Sequence, residues 1–441
     1  MTLRLTVLGT GYLGATHAAC MADLGFDVLG MDVDSDKIES LSQGVAPFFE
    51  PDLNEVLSRN IQAGRLRFTT SFEEAAAFGD VHFICVGTPQ RSDSNAADMQ
   101  YVDAVVDGLA PHLQRPCLIV GKSTVPVGTA ERVAKRVAAL SPVGHAAEVA
   151  WNPEFLREGH AVTDTLRPDR LVIGVTSKEA EETLRQVYGP LLEAGVPLIV
   201  TDLATSQLVK VAANAFLATK ISFINAMSEL CDAAGGDILQ LSDALAHDKR
   251  IGGQFLRAGL GFGGGCLPKD IRAFMARAGE LGVDDALTFL REVDSINLRR
   301  RSQIAAMARN ILGGYLRDQR ICILGAAFKP NSDDVRDSPA LHVAAALHQD
   351  GAHVVVHDPK ANANAERLFP NLEYVDSVEV AVRGADVVMV LTEWEQFLSL
   401  DPETISPLVN HRVVIDGRLC LDPEKWRAAG WQYHAPGRPQ P

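Results

Sequence analysis

The densest chemistry in the chain lies in ten residues, Gly261-Phe262-Gly263-Gly264-Gly265-Cys266-Leu267-Pro268-Lys269-Asp270. Three consecutive glycines ahead of a cysteine let backbone approach a ligand closely. Pro268 suits the first turn of a helix, predicted here over Lys269–Ala278. Cys266 is therefore expected just ahead of a helix N-terminus, with Lys269 nearby, and both the dipole and the ammonium favour a thiolate. Cys20, Cys85, Cys117, Cys231, Cys322 and Cys420 fall in apolar strands, helices or the tail region. There a cysteine ordinarily serves as a small buried hydrophobe. The seven lie far apart, with no CxxC and no Cys/His zinc spacing. No metal site is expected, and the thiols are expected to be reduced, in the cytoplasm.

A second chemical signal opens the chain. Gly9-Thr10-Gly11-Tyr12-Leu13-Gly14 fits GxGxxG, with a strand-like run before it and a helical pattern after it. Such a turn brings a pyrophosphate to the N–H groups and positive dipole end of a helix N-terminus. Asp32 ends the next strand. Its carboxylate suits a ribose diol and repels a 2′-phosphate, which favours NAD over NADP. Lys37 is placed either over the adenosine or on an exposed helix face. A thiolate beside NAD suggests one chemistry. Addition to an aldehyde gives a thiohemiacetal, loss of hydride gives a thioester, and hydrolysis gives an acid. Such a site also needs a general base and a group to steady an oxyanion. Gly121-Lys122-Ser123 resembles the end of a P-loop, but Pro116 stands where that loop needs glycine, so the phosphate cradle is absent. Gly325-Ala326-Ala327-Phe328 also lacks GxGxxG and suggests a Rossmann-type turn serving another ligand.

The elements that must hold these residues read as α/β. Strands are predicted at Leu3–Leu8, Asp27–Met31, Val81–Val86, Cys117–Val120, Glu148–Trp151, Leu171–Val175 and Pro197–Val200. Helices are predicted at Tyr12–Leu24, Tyr101–Leu113 and Thr129–Leu140. From Thr201 to about Ala234 the chain is Ala-rich and nearly free of Pro and Gly, which predicts one long helix capped at Asp202. Its Ala, Leu, Ile and Phe content suggests pairing with its copy in a dimer or larger homo-oligomer. A further helical stretch covers Asp284–Leu312. Strands at Ile321–Leu324, His353–His357, Val387–Leu391 and Val413–Ile415, with a helix at Pro339–His348, form a second βαβ set. The expected organisation is two Rossmann-like doubly wound domains joined by long central helices. Residues 1–200 are read as the NAD-binding domain, 201–312 as the central helical dimerisation and catalytic-loop region, and 313–441 as a C-terminal Rossmann-like domain for another ligand. The tail His434–Pro441 is expected to fray.

The chain has 441 residues, enough for two or three domains, and its 47% apolar and 22% charged composition is ordinary globular usage. With 41 Lys plus Arg against 56 Asp plus Glu, its formal charge is −15. An acidic surface of this kind is a poor grip for nucleic acid or an anionic membrane. An anionic ligand must then be met by a few placed Lys and Arg. No apolar run approaches the roughly 20 residues that span a bilayer, and Met1–Leu8 runs straight into a strand with no signal peptide.

Six motifs, in order, make the sequence resemble the UDP-glucose/GDP-mannose dehydrogenase family over nearly its whole length. They are Gly9–Gly14, Val86-Gly87-Thr88-Pro89, Ser123-Thr124-Val125-Pro126-Val127-Gly128-Thr129, Asn152-Pro153-Glu154-Phe155-Leu156-Arg157-Glu158-Gly159, Lys210-Val211-Ala212-Ala213-Asn214 and Gly261–Asp270. Pro168–Gly174 and Gly259–Phe262 look most like the members acting on UDP-glucose. The activity implied is two successive oxidations at C6 of UDP-glucose, using two NAD, to UDP-glucuronate. The same chemistry on GDP-mannose or UDP-N-acetylmannosamine is the alternative.

The resemblance makes Cys266 the nucleophile. It makes Lys210 and Asn214, at i and i+4 on one helix face, the partners of the reacting oxygen and a water, with Lys210 assigned either as a base or as an oxyanion partner. Glu154 is the implied base for thioester hydrolysis, Thr124 helps hold its water, and Asp270 orients water or the lysine. By local pattern alone, Lys210 reads equally as a solvated helix lysine, and Glu154 and Glu158 as a helix-start acid and a surface acid. Asp270 alone reads as an ordinary N-terminal helix acid. The implied cofactor contacts are Gly9, Thr10, Gly11, Tyr12, Leu13, Gly14, Asp32, Lys37, Thr88, Ser123, Thr124, Glu158, Lys269 and Arg336. The implied substrate contacts run through Glu154, Phe155, Leu156, Arg157, Glu158, Lys210, Asn214, Phe255, Leu256, Arg257 and Gly263. Cations for the diphosphate are Lys329, Arg418 and an Arg250 supplied by a neighbouring subunit, and Arg336 reaches the cofactor across the gap between the two domains, where the site is expected. Arg299-Arg300-Arg301 reads as a solvated helix end. Gly265 stands where many relatives have Ser.

Overall fold

A computed structural model describes residues 3–439. Met1 and Thr2, at the start of the run expected to lack a signal peptide, and Gln440 and Pro441, at the end of the expected frayed tail, lie outside the described residues. Two compact units emerge: residues 1–213 with 272–281, and residues 214–271 with 282–441. The segment 201–312, read from sequence as one central region, is divided between them.

The first unit is built on eight strands: β1 Arg4–Leu8, β2 Asp27–Met31, β3 Leu66–Thr69, β4 Val81–Ile84, β5 Cys117–Gly121, β6 Ala147–Trp151, β7 Leu171–Gly174 and β8 Leu198–Thr201. Their order is β3-β2-β1-β4-β5-β6-β7-β8. The first six follow the 3-2-1-4-5-6 order of dinucleotide-binding sheets. The buried faces of these strands, Leu5, Val7, Val28, Phe83 and Val120 among them, form one core with the helix Tyr12–Asp23. One joint departs from the expected parallel pattern: β6 meets β7 antiparallel, through Trp151 and Gly174. The stretch between them holds only the six-residue helix Ala161–Leu166, and the rest of it is loop.

The second unit holds β9 Arg320–Leu324, β10 His353–His357, β11 Glu373–Tyr374, β12 Val387–Val390, β13 Val413–Asp416 and β14 Gln432–His434, in the order β11-β10-β9-β12-β13-β14. This is the 3-2-1-4-5-6 order again, parallel throughout. The sequence reading omits β3, β11 and β14. All three are short strands at sheet edges or half exposed, so they carry no continuous apolar run.

The tail corrects an expectation. His434 closes β14, Tyr433 and Ala435 are buried, the Gly437 N–H donates to Asp232 Oδ1 at 2.8 Å, and the Ile238 N–H donates to the Gly437 carbonyl at 2.9 Å. Apolar burial and backbone bonds therefore dock the chain as far as these residues, despite its proline content.

A helix over Leu203–Ala234 runs through both units. Asp202 caps it, accepting from the Thr205 N–H at 2.8 Å. In the second unit, Ser222 and Asn225 on its buried face bond the Val293 carbonyl (2.7 Å) and the Gly259 N–H (2.9 Å). The stretch expected as one helix over Asp284–Leu312 is a short 3₁₀ turn, Asp284–Leu287, followed by the helix Phe289–Ile311. Among the described residues, no helix is long and apolar enough to cross a membrane.

Candidate active site

In the first unit the turn after β1 requires its glycines. A Cβ on Gly14 would lie 1.8 Å from the Gly9 carbonyl oxygen, so helix and turn pack closer than any side chain permits. Gly11 is the helix N-cap, without a side-chain cap, and a Cβ there would meet open space. This is the cradle a pyrophosphate needs, and it fits NAD. Asp32 is buried at the end of β2, where Oδ2 accepts from the Thr10 N–H (2.7 Å), the Thr10 hydroxyl (3.1 Å) and Lys37 Nζ (2.9 Å). Burial pushes its carboxyl up, but the Thr10 N–H and the Lys37 ammonium outweigh that and hold it below the ordinary range. Lys37 is therefore paired with Asp32 rather than free on its helix. Thr88 and Ser123 tie neighbouring loops together, Thr88 Oγ1 donating to the Thr124 carbonyl and Ser123 Oγ to the Val86 carbonyl, each at 2.7 Å.

The second unit uses its equivalent acid differently. Asp358, after β10, takes the Ala326 and Ala327 N–H groups at 2.7 and 2.9 Å and the Trp394 indole N–H at 3.0 Å. The turn's amides are thus consumed internally, which accounts for the missing GxGxxG.

The loop after β6 carries the candidate base. Glu154 Oε1 lies 3.1 Å from Lys210 Nζ, and its Oε2 accepts the Leu156 N–H at 2.6 Å. Both side chains of the ion pair are largely shielded from solvent, and the Phe155 ring lies under Lys210 Nζ (5.5 Å) and Arg170 (4.0 Å). Farther along, Glu50 accepts the Gly159 and Ala161 N–H groups at 2.7 Å each and the Tyr12 hydroxyl. Its position in a loop between helices offers no sequence signal for this role. Arg157 is exposed and bidentate to Asp164, at 2.9 and 2.7 Å.

In the second unit the glycine loop ends at Cys266, which is exposed, while Cys20, Cys85, Cys231 and Cys322 are buried. The helix Leu267–Glu280 starts on it: the Cys266 carbonyl accepts the Asp270 N–H at 3.0 Å. Asp270 is buried, takes Asn214 Nδ2 at 2.7 Å, and pairs with Lys269 Nζ at 2.5 Å. The Lys269 ammonium, expected to serve the thiol, is thus engaged by its neighbouring acid.

Arg300 and Arg301 correct the solvated-helix reading. Both are buried. Arg300 Nε donates to the Gly259 carbonyl (2.8 Å), and Arg301 binds Asp337 Oδ1 (2.7 Å) and the Phe262 carbonyl (3.2 Å). Asn297 brackets Phe262, accepting its N–H at 2.8 Å and donating to its carbonyl at 3.0 Å. Gly261, at φ +95°, has no room for a Cβ beside Asn297 Oδ1. One helix face therefore holds the loop's backbone through positions 297, 300 and 301.

The expected phosphate cations differ in setting. Arg418 donates to the carbonyls of Leu391 (2.8 Å), Gly261 (3.0 Å) and Phe328 (3.0 Å), clamping the glycine loop to the turn after β9. Lys329 lies over the Phe328 ring at 5.3 Å. Arg336 is bidentate to Asp334, and its guanidinium fills the space a Cβ on Gly265 would take. Arg250 is exposed beside Asp248. Phe255 has φ +62° and is partly exposed, Leu256 is buried, Arg257 is exposed, and Gly263 packs on the Asp337 carbonyl.

Two Rossmann-type units, the first with a cradle for a dinucleotide, define an NAD-dependent dehydrogenase. The chain belongs to the UDP-glucose/GDP-mannose dehydrogenase family: residues 3–192 match its NAD binding domain, 204–299 its central domain and 322–423 its UDP binding domain. It is 39% identical over 437 residues to a UDP-glucose 6-dehydrogenase of Bacillus subtilis (strain 168), covering 99% of this chain and 98% of that one. A UDP-glucose 6-dehydrogenase of Pseudomonas aeruginosa is 40% identical over 447 residues, covering 99% and 98%. The solved UDP-glucose dehydrogenase from Pyrobaculum islandicum superposes with a TM-score of 0.90 at 39% identity, covering 98% of this chain and 97% of that one. A UDP-D-ManNAc dehydrogenase from Pyrococcus horikoshii gives 0.86 at 27% identity, covering 99% of each.

Proposed function

We propose that the chain oxidises C6 of UDP-glucose twice, producing UDP-glucuronate. The observation that carries this reading is Cys266, exposed at a helix start on a loop whose backbone is held by Asn297, Arg300 and Arg301. UDP-glucose is favoured because relatives near 40% identity bear that name, whereas the UDP-D-ManNAc enzyme stands at 27%.

When bound, NAD accepts a hydride in each oxidation. In the first, the C6 hydroxyl gives its proton to water, the C6–H bond breaks, and an aldehyde forms. The Cys266 thiolate then adds to C6, making a C–S bond and an alkoxide that Lys210 and Asn214 steady. Collapse of the alkoxide expels the second hydride and leaves a thioester on Cys266. Glu154, with Thr124 holding the water, takes a proton as that water attacks the thioester. The C–S bond breaks, the thiolate returns, and a carboxylate leaves. Asp270 orients Asn214. In this reading residues 1–200 serve NAD, 201–312 the catalytic loop and dimer, and 313–441 the UDP moiety, with Lys329, Arg418 and a neighbouring subunit's Arg250 meeting the diphosphate. Arg336 and Lys269 serve the cofactor.

The dimer forms on the long helix, where Phe216, Phe223 and Leu230 are exposed at seven-residue spacing. Light scattering on Phe223→Glu should show loss of the dimer, and a monomeric wild type refutes it. The buried, unbridged Cys20, Cys85, Cys231 and Cys322 suit a cytoplasmic enzyme. The deciding experiment counts NADH per UDP-glucose: two in wild type, with the second oxidation lost in Cys266→Ser. One NADH per sugar in wild type refutes the four-electron reading.

A further inference from the structure

Lys122, which the catalytic sequence above does not use, is buried inside the first unit directly after β5. Its hydrogen-bond partners are neutral: Nζ lies 2.9 Å from Asn152 Oδ1 and 3.4 Å from the Tyr188 hydroxyl. The Phe83 and Tyr188 rings stand 6.0 and 5.9 Å away. Asn152 is fully engaged. Its Oδ1 also accepts the Tyr188 hydroxyl (2.5 Å), its Nδ2 donates to the Val172 carbonyl (2.8 Å), and its N–H donates to the Gly121 carbonyl (2.8 Å). Asn152 lies two residues before Glu154. A buried ammonium without a carboxylate partner is costly, and it persists only where something offsets that cost.

We propose that Lys122 is a positioning residue for thioester hydrolysis: its ammonium fixes the Asn152 carboxamide, hence the turn presenting Glu154, and places a positive charge behind that carboxylate. This rests on the reading of Glu154 as the base. The groups facing Lys122 are His17 from the first helix, Cys85 after β4, Tyr188, Glu154 and Lys210. Burial pulls the ammonium down to about 8, while Cys85 and Glu154 support its charge and Lys210 opposes it. The charge is thus present at neutral pH and titrates away in the mildly alkaline range.

The test uses the full-length enzyme with UDP-glucose and NAD, with kcat and KM followed across pH. Lys122→Met is expected to lower kcat by about tenfold or more, leave the KM for UDP-glucose within about twofold, and move the acidic limb of kcat to higher pH. Lys122→Gln, which keeps a donor to Asn152 without the charge, is expected to recover part of kcat and none of the limb shift. A folded Lys122→Met with a wild-type kcat profile overturns the proposal. Should both variants fail to fold, Tyr188→Phe decides, because it removes the other donor on the same carboxamide. A fall in kcat at constant KM supports the proposal, and unchanged kcat overturns it. Glu154→Gln measured alongside separates the two ideas. Full turnover there removes the base role itself, whereas lost turnover there with an unmoved Lys122→Met profile removes only the present inference.

Discussion

Lys210 Nζ sits 3.1 Å from Glu154 Oε1, in a setting that shields both side chains from solvent. The short distance sets the proposed base and the proposed oxyanion partner side by side before substrate arrives, where opposite charges interact more strongly than in open water. Glu154→Gln removes the proton acceptor and keeps the shape. Its expected result is rapid formation of two NADH per active site followed by a stall, with thioester on Cys266 detectable as added mass in quenched protein. The stalled step should be slowed by about 10²–10⁴-fold. Steady turnover at the wild-type rate counts against the base role.

Arg300 supports the glycine loop without touching the proposed chemistry. Its donors end on neutral acceptors: the Gly259 carbonyl, Ser228 Oγ at 2.6 Å and Gln303 Oε1 at 3.1 Å. Arg300→Met keeps much of the side-chain volume and leaves these acceptors unserved, at a cost of about 1–3 kcal/mol in stability. The loop backbone then loosens beside Cys266, so kcat is expected to fall further than the loss of folded protein accounts for. Urea unfolding and kcat on the same preparation check this. A stable variant with wild-type kcat removes the bracing role.

These arginines also mark where sequence reading ran out. The fingerprint Gly9–Gly14, Asp32 and the helix Leu203–Ala234 were legible because their signals are local: glycine spacing, a cap, an uninterrupted helical composition. Cys266 was legible for the same reason, as the residue between three glycines and a helix start. Three adjacent arginines on a helix look solvated until their acceptors are known, and Gly259 and Phe262 lie about forty residues away in the chain. Lys122 was hidden the same way. Its motif suggested a phosphate loop, failed that test, and gave no hint of Asn152 thirty residues on. The prolines of the tail suggest fraying, whereas the burial of Tyr433 and Ala435 depends on partners distant in the chain.

His82 offers a test at acid pH. It is buried on β4, with Nδ1 2.6 Å from Thr6 Oγ1, and burial pulls its pKa from 6.5 to about 3. Between those values the unfolded chain binds a proton that the folded chain refuses, so stability is complete above about 6.5 and drains as pH falls toward 3. The slope contributed by one such group is at most about 1.4 kcal/mol per pH unit. His82→Asn cannot titrate. Its stability is expected to be lower than wild type at neutral pH, with the gap narrowing as pH drops from 6.5. Urea midpoints measured at several pH values show this directly, and a gap that stays constant means His82 is protonated in the folded state.

Lys122 gives a test of the same sign at alkaline pH. Its folded value of about 8 lies below the ordinary 10.5. In that interval the unfolded chain still holds a proton the folded chain has released, so this group makes wild type more stable as pH rises. Lys122→Met has nothing to titrate. The stability of wild type relative to this variant is therefore expected to climb from about pH 8 and level off near 10.5, by no more than about 1.4 kcal/mol per pH unit. A flat difference across that interval means the ammonium stays charged inside the protein, held there by Glu154 and Asn152 more strongly than burial opposes it. In that case the positive charge behind Glu154 persists through the whole working range, and any alkaline fall in kcat belongs to another group.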